Sequence, residues 1–437
     1  MAATGLDHVD ILQGYWPSPW PVECGGPRRQ KVVSVPGPAI GPSETIASTI
    51  RQIDGWPVMT ILRDPGEVYL LVGGGLHDAE LPPVHRPDEA TCGWVERIDP
   101  ETLETLDRSP DLPSGGWLWC GALIAHENGQ LYSVDGRYIH RLSADLNDVT
   151  SVELSYDGPH NGLLALSDGN LLTRNLGFRP SEPAAYTLLG PDLAVLDEMV
   201  LDERCMGRFS SDRTTQGEFV YFSTPSEVRR LRYEASSLDL DPDWVAVYGE
   251  YANQSDGWDT TIGAGAIHLM DMGRPANWFR PGSAAQRAFR FALDQPADMS
   301  VIDAIHAPMA WNPGPPLFDP TRDILVHFDS MNGWVVAHRL ADEPVELWRR
   351  EYRNFAQMIV WADTGELLIE DSDIPEMMGG VADHGSVVIV DIETGEERGR
   401  AATGGAALGM FAGPGFSGDA YVCSLLGSIS RIVAERA

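Results

Sequence analysis

Eight copies of one short frame run through this chain, and they constrain its fold more than any other feature. Gly169-Asn170-Leu171-Leu172-Thr173-Arg174-Asn175 is a turn glycine, a short apolar strand and a small polar residue that closes it. The frame recurs at Gly66–Val72, Gly129–Asp135, Gly217–Ser223, Gly265–Asp271, Gly365–Asp371 and Gly418–Ser424, and at Asp323–Asp329 with Asp in place of the opening Gly. Asp, Asn or Ser ends seven of the eight copies. Successive copies start 40 to 63 residues apart, the spacing of propeller blades.

Each copy is flanked by further strand patterns. Blade one reads as Val58–Leu62, Glu67–Val72, Trp94–Ile98 and Glu104–Arg108, and blade two as Gly121–Ala125, Gln130–Val134, Tyr138–Leu142 and Thr150–Leu154. The eighth unit has three strands, Ala407–Phe411, Ala420–Ser424 and Ser428–Val433, before the chain stops. An unclosed blade leaves an unpaired edge, which natural sheets avoid. The β-branched run Lys31–Val35, ended by Pro36, stands ahead of the first repeat as a spare strand. The expected architecture is therefore all-β: one closed propeller domain over 1–437, with eight four-stranded blades in 56–437. Seven blades is the alternative count. Residues 31–36 are the expected closing strand, and the Pro-, Gly- and Trp-rich residues 1–30 are expected to wrap the surface.

Gly385-Ser386-Val387-Val388-Ile389-Val390-Asp391-Ile392-Glu393-Thr394-Gly395-Glu396-Glu397 resembles the outer hairpin of quinoprotein-like (PQQ-like) propeller repeats. Gly333–His338 with Leu347–Arg349 resembles it too. The resemblance implies fold and not cofactor. Quinone dehydrogenases of that superfamily carry an adjacent Cys-Cys pair in the cofactor pocket, and Cys24, Cys92, Cys120, Cys205 and Cys423 are all scattered. The expectation is no PQQ.

Composition narrows the partners. A formal charge of −33 disfavours nucleic acid and anionic membranes, and no run approaches a membrane span in length. Five scattered cysteines without a CxxC, and an N-terminus without a basic and apolar leader pattern, give a cytoplasmic expectation with free thiols. Lys31 is the sole lysine. Because it precedes the first repeat, lysine chemistry is set aside.

In a propeller, loops entering the inner strands and loops joining second to third strands share one face. That rule places His160 and Asn161, Arg208, Trp258 and Asp259, His306 and Trp311 at the channel mouth. His77 and Trp278 come from second-to-third loops. His160, set in a Pro-His-Asn-Gly turn, and His306 three blades away are the expected acid/base pair. Arg208 would bind developing negative charge and Asp259 would orient an imidazole. Trp258, Trp311, Trp278, Asn161 and His77 would form the substrate-binding wall. Cys120 is the one thiol candidate. No metal ligand set is assigned and no cofactor motif appears. A divalent cation would find its donors at Glu370, Asp371, Asp373 and His384, but recurrence of the strand-ending Asp at 135, 271, 329 and 371 favours a turn cap. The expected function is hydrolase or lyase chemistry on a small organic molecule at the channel mouth. The alternative is a non-catalytic propeller serving as a protein-binding scaffold.

Overall fold

The computed structural model describes residues 12–73, 85, 92–177, 182–205, 207–249, 251, 254–273, 282–374, 384–407, 411–424 and 426–436. Eight antiparallel sheets form the blades of a closed β-propeller. The inner strands, in order, are Trp56–Leu62, Cys120–Ala125, His160–Ala165, Ser210–Thr214, Thr260–Gly263, Leu317–Asp319, Ile359–Trp361 and Ala412–Pro414. Each is followed by its second strand, which carries the repeated frame. These second strands are apolar throughout because they are buried on both faces between neighbouring blades: Val68–Gly73, Leu131–Asp135 and Ile324–Asp329 are buried at every position. Outer strands alternate instead, as in Val195–Leu201. No helix among the described residues is long and apolar enough to cross a membrane.

The last blade is closed by an N-terminal strand, but not by residues 31–36. Glu44–Gln52 pairs antiparallel with Ser428–Arg436 over its whole length, from Glu44 opposite Arg436 to Gln52 opposite Ser428. Nine residues matched to nine leave no edge frayed, which the two-residue strand Val32–Val33 could not achieve. Val32–Val33 lies inside the ring as a fifth strand of blade seven, parallel to its inner strand, with Val32 opposite Val360 and Val33 opposite Trp361.

The segment ahead of it is also internal rather than wrapped over the surface. Each inner strand presents an unpaired edge to the channel, and the N-terminal thread answers those edges in turn. Leu62 N donates to Trp20 O (2.8 Å), Ala125 N to Pro21 O (2.8 Å), Ser211 N to Pro27 O (2.8 Å) and Ile262 N to Arg28 O (2.9 Å). Phe318 N donates to Gln30 O (3.4 Å) and Val360 N to Lys31 O (3.0 Å). Blade three joins through Ala165 N, which donates to the Tyr15 hydroxyl (3.0 Å). Blades one to seven are thus all tied to one thread. A Pro-rich sequence suits this task, because it runs extended and asks for few hydrogen bonds of its own. Gly25, at φ +78°, must be glycine, since a Cβ there would lie 2.6 Å from the Trp20 ring.

Candidate functional site

The thread brings charge into the channel at the level of the inner-strand entries. Arg208 and Asp259, which precede the inner strands of blades four and five, meet Glu23 and Arg29 there. Arg208 Nε lies 3.1 Å from Glu23 Oε2, and Arg29 Nη2 lies 2.8 Å from Asp259 Oδ2. Arg29 also pairs with Glu23, and the Arg208 backbone N–H donates to Asp259. Arg208 Nη2 donates to Gly121 O (3.0 Å) and its guanidinium stacks 4.8 Å from the Phe411 ring. All four side chains are buried. Two cations and two anions closed on each other this way form a latch between thread and ring. The structure does bring Arg208 and Asp259 together, but Arg208 is tied to Gly121 O and ion-paired with Glu23, and Asp259 accepts from Arg29 of the thread and from the Arg208 backbone.

Lys31 lies next to this latch. It is fully buried, its Nζ donates to Pro315 O (2.5 Å), and burial lowers its pKa to about 8. Its position ahead of the first repeat therefore does not remove it from the channel. Cys24, Arg29 and Lys31 all hold left-handed backbone angles, at φ 59°, 56° and 67°. Each costs about 1 kcal/mol outside glycine and is held here by the surrounding ring.

Around the latch stands an aromatic collar. Trp56, Trp119, Trp258, Trp311, Phe355 and Phe411, from blades one, two, five, six, seven and eight, belong to one buried cluster. Trp56 and Trp119 meet edge to face at 5.6 Å, and Trp311 lies 5.8 Å from Phe355. Asn161 is held against the collar by the Trp119 indole N–H, which donates to its Oδ1 (3.2 Å). Trp258, Trp311 and Asn161 thus gather at one end of the channel. Trp278 and His77 lie outside the described residues. Several buried polar atoms of this end find no hydrogen-bond partner among the described residues: Trp56 Nε1, Asn312 Oδ1 and both polar atoms of Gln286.

The two histidines are not brought together as an acid/base pair. His306 lies on the connection that follows the outer strand Met299–Ile302 of blade five. Its side chain is 75% exposed and its Nδ1 is 3.3 Å from Asp303. His160 opens the inner strand of blade three and is fully buried, and neither ring nitrogen has a hydrogen-bond partner among the described residues. Burial, helped by the charge of Arg174, lowers its pKa to about 3. A neutral imidazole of that kind is a poor proton donor at neutral pH.

The strand-ending carboxyls separate into two kinds. Asp329 accepts from Trp311 N (3.3 Å) and from Asn332, and Asp271 from Gly273 N (3.0 Å) and Arg287 N (2.8 Å). Glu370 accepts from Phe355 N (2.9 Å), Ala407 N (2.7 Å) and Ser372 Oγ (2.7 Å). Asp371 accepts from Arg353 N (3.1 Å) and pairs with Arg400 (2.6 Å). These oxygens cap turns, and among the described residues no three His, Cys, Asp or Glu side chains gather where they could hold a cation. Asp135 differs. Its Oδ2 accepts from Ser133 Oγ (3.1 Å) and lies 3.7 Å from His140 Nε2. Its Oδ1 accepts no N–H or O–H from the described residues and faces the Cys120 thiol. Burial pushes the Asp135 pKa up to about 7, as it does those of Asp271 and Glu370, so the thiol and the undonated oxygen are what set Asp135 apart. Gly93 makes the meeting of carboxyl and thiol possible, since a Cβ there would lie 2.4 Å from Asp135 Oδ1 and 2.9 Å from Cys120 Sγ. In the sequence Asp135 is one of a recurring set of strand-ending residues, and only the pairing of Cys120 with Asp135 across blade two singles it out.

No protein-family model matches the sequence, and no curated protein matches it. Solved structures do. The chain is similar to the quinohemoprotein alcohol dehydrogenase ADHIIG of Pseudomonas putida HK5, with a TM-score of 0.58 and 9% identity, covering 96% of this chain and 80% of that one. It is similar to the Dos1 propeller, with a TM-score of 0.57 and 8% identity over 88% and 94% of the two chains. A streptogramin B lyase aligns with a TM-score of 0.43 and 12% identity over 89% and 98%. At these identities the likeness is one of fold alone, the β-propeller.

Proposed function

We propose that this propeller is an enzyme of hydrolase or lyase type acting on a small organic molecule at the mouth end of its channel, with a buried carboxyl rather than a histidine moving the proton. The observation that carries this reading is Asp135: fully buried, one oxygen without an N–H or O–H donor, its pKa at about 7, beside a thiol at an inner-strand entry. A carboxyl poised at neutral pH both takes and gives protons, and Cys120 is the adjacent group whose proton it can take. The aromatic collar would hold the apolar body of the molecule. The Trp56 N–H, Asn312 oxygen and Gln286 amide, unpaired among the described residues, would fix its neutral polar groups. Arg208 and Asp259 act here as posts that hold the thread, and His160 is a neutral wall residue.

The scaffold alternative draws on a different surface. Val195, Leu196 and Val200 are exposed on the outer strand of blade three, an apolar strip at a free sheet edge.

The test is incubation of the wild-type protein with a mixed small-metabolite extract, followed by mass spectrometry of what is consumed. The enzyme reading expects at least one species to be depleted by the wild type. Asp135→Asn, nearly the same size, should convert it about 10²- to 10⁴-fold more slowly. An extract left unchanged by the wild type would count for the scaffold.

A further inference from the structure

Blade three contains a charge that no carboxylate among the described residues answers. Arg174, in the second strand Leu171–Asn175, is fully buried, and none of its three guanidinium nitrogens has an oxygen acceptor among the described residues, though the group lies close enough to the Cys205 thiol to interact with it. An arginine cannot shed its charge, so the interior must either tolerate a bare cation or supply an anion. The side chains around it are of one kind. Tyr186 stands directly opposite Arg174 on the third strand, with its ring 5.8 Å from the guanidinium carbon. The Tyr186 hydroxyl is 3.9 Å from the thiol of Cys205, which is itself buried and feels the charge of Arg174. His160, whose strongest charged neighbour is Arg174, is fully buried with both ring nitrogens unpartnered. The nearby carboxylate, Glu203, is turned towards solvent and pairs with Arg229 at 3.4 Å. Guanidinium, phenol, thiol and imidazole can all donate, and no carboxylate among the described residues is paired with the guanidinium.

The geometry points to a buried binding site for a small monovalent anion, halide or carboxylate, at Arg174 between blades three and four, with Tyr186, Cys205 and His160 as the other donors. The flanking walls are apolar: Phe222 lies 5.4 Å from the Tyr186 ring, and Phe209 and Leu172 belong to the same cluster. Such walls strip the ion of water, so a small, weakly hydrated anion is favoured over sulfate or phosphate. This site does not depend on the chemistry proposed at Asp135.

Two probes test it, sodium bromide and sodium formate, with ionic strength held constant by sulfate. The melting temperature of the full-length protein should rise with one or both and saturate, as binding to the folded state alone requires. Arg174→Met should lose that response, and without added anion it should melt no lower than the wild type, because an unanswered charge has been removed. A wild-type crystal soaked in bromide should show an anomalous peak within about 3.5 Å of the guanidinium. Should Arg174→Met fail to fold, the wild-type titration and the bromide peak decide alone. A response to bromide and formate no larger than that to sulfate, or one equal in wild type and Arg174→Met, overturns the proposal. So does a soaked crystal without the peak.

Discussion

Asp135 and Glu23 are both buried carboxyl groups, and their surroundings give them opposite roles. Glu23 meets two guanidinium groups as part of a latch. Asp135 meets a thiol, a hydroxyl and a buried neutral imidazole, none of which repays the cost of desolvating a carboxylate. A stability consequence follows with a definite sign. The folded Asp135 holds its proton up to about pH 7, whereas the unfolded one releases it near 3.8. Between those values the folded state binds more protons, so this residue's contribution to stability is highest below pH 3.8 and falls as pH rises to 7. The full loss is about 4 kcal/mol. Asp135→Asn removes that dependence. Its melting temperature relative to wild type should therefore be higher at pH 8 than at pH 5. A difference independent of pH would show that Asp135 ionises normally in the fold.

At the scale of elements, the thread from Tyr15 to Val33 is what the sequence concealed. Its residues were legible as irregular, and the closing of the last blade by an N-terminal strand was legible from the missing fourth strand. Which stretch closes it was not. Glu44–Gln52 reads as a polar, half-exposed segment, and only its full-length match with Ser428–Arg436 reveals the pairing. Val32–Val33 has the stronger β character, and that character suits burial against Val360 and Trp361 inside the ring. The thread should behave as a structural member. Glu23→Ala leaves Arg29 and Arg208 buried without their shared partner and should cost about 3–5 kcal/mol in a denaturant melt. A loss below about 1 kcal/mol would mean the latch is solvated and contributes little. Deleting residues 1–30 keeps the closing strand but exposes the inner edges of six blades, and it should lower the melting temperature by more than 10 °C. Unchanged melting would contradict the role of the thread.

At the scale of the whole molecule, the seven-residue frame was enough to read eight blades, because its turn glycine and its small polar terminator recur wherever a second strand begins and ends. The same regularity hid the candidate site. A carboxyl that ends a strand looks alike in all copies, and Asp135 stands apart from Asp271 and Asp329 only through the thiol that blade two places beside it. Blade order was enough to put Trp258, Trp311, Asn161, Arg208 and Asp259 at inner-strand entries. The partners of Arg208 and Asp259 were not readable from it, because they come from a thread that lies outside the repeat. The measurement that tests the account most directly is the pH dependence of turnover, from pH 5.5 to 8.5, of a molecule consumed by the wild type, run side by side with Asp135→Asn. If Asp135 is the base, the wild-type rate rises through a single ionisation near pH 7 and levels off, and the variant has no such step and runs about 10²- to 10⁴-fold slower. A wild-type profile flat through pH 7, or a variant turning over at the wild-type rate, would contradict the assignment.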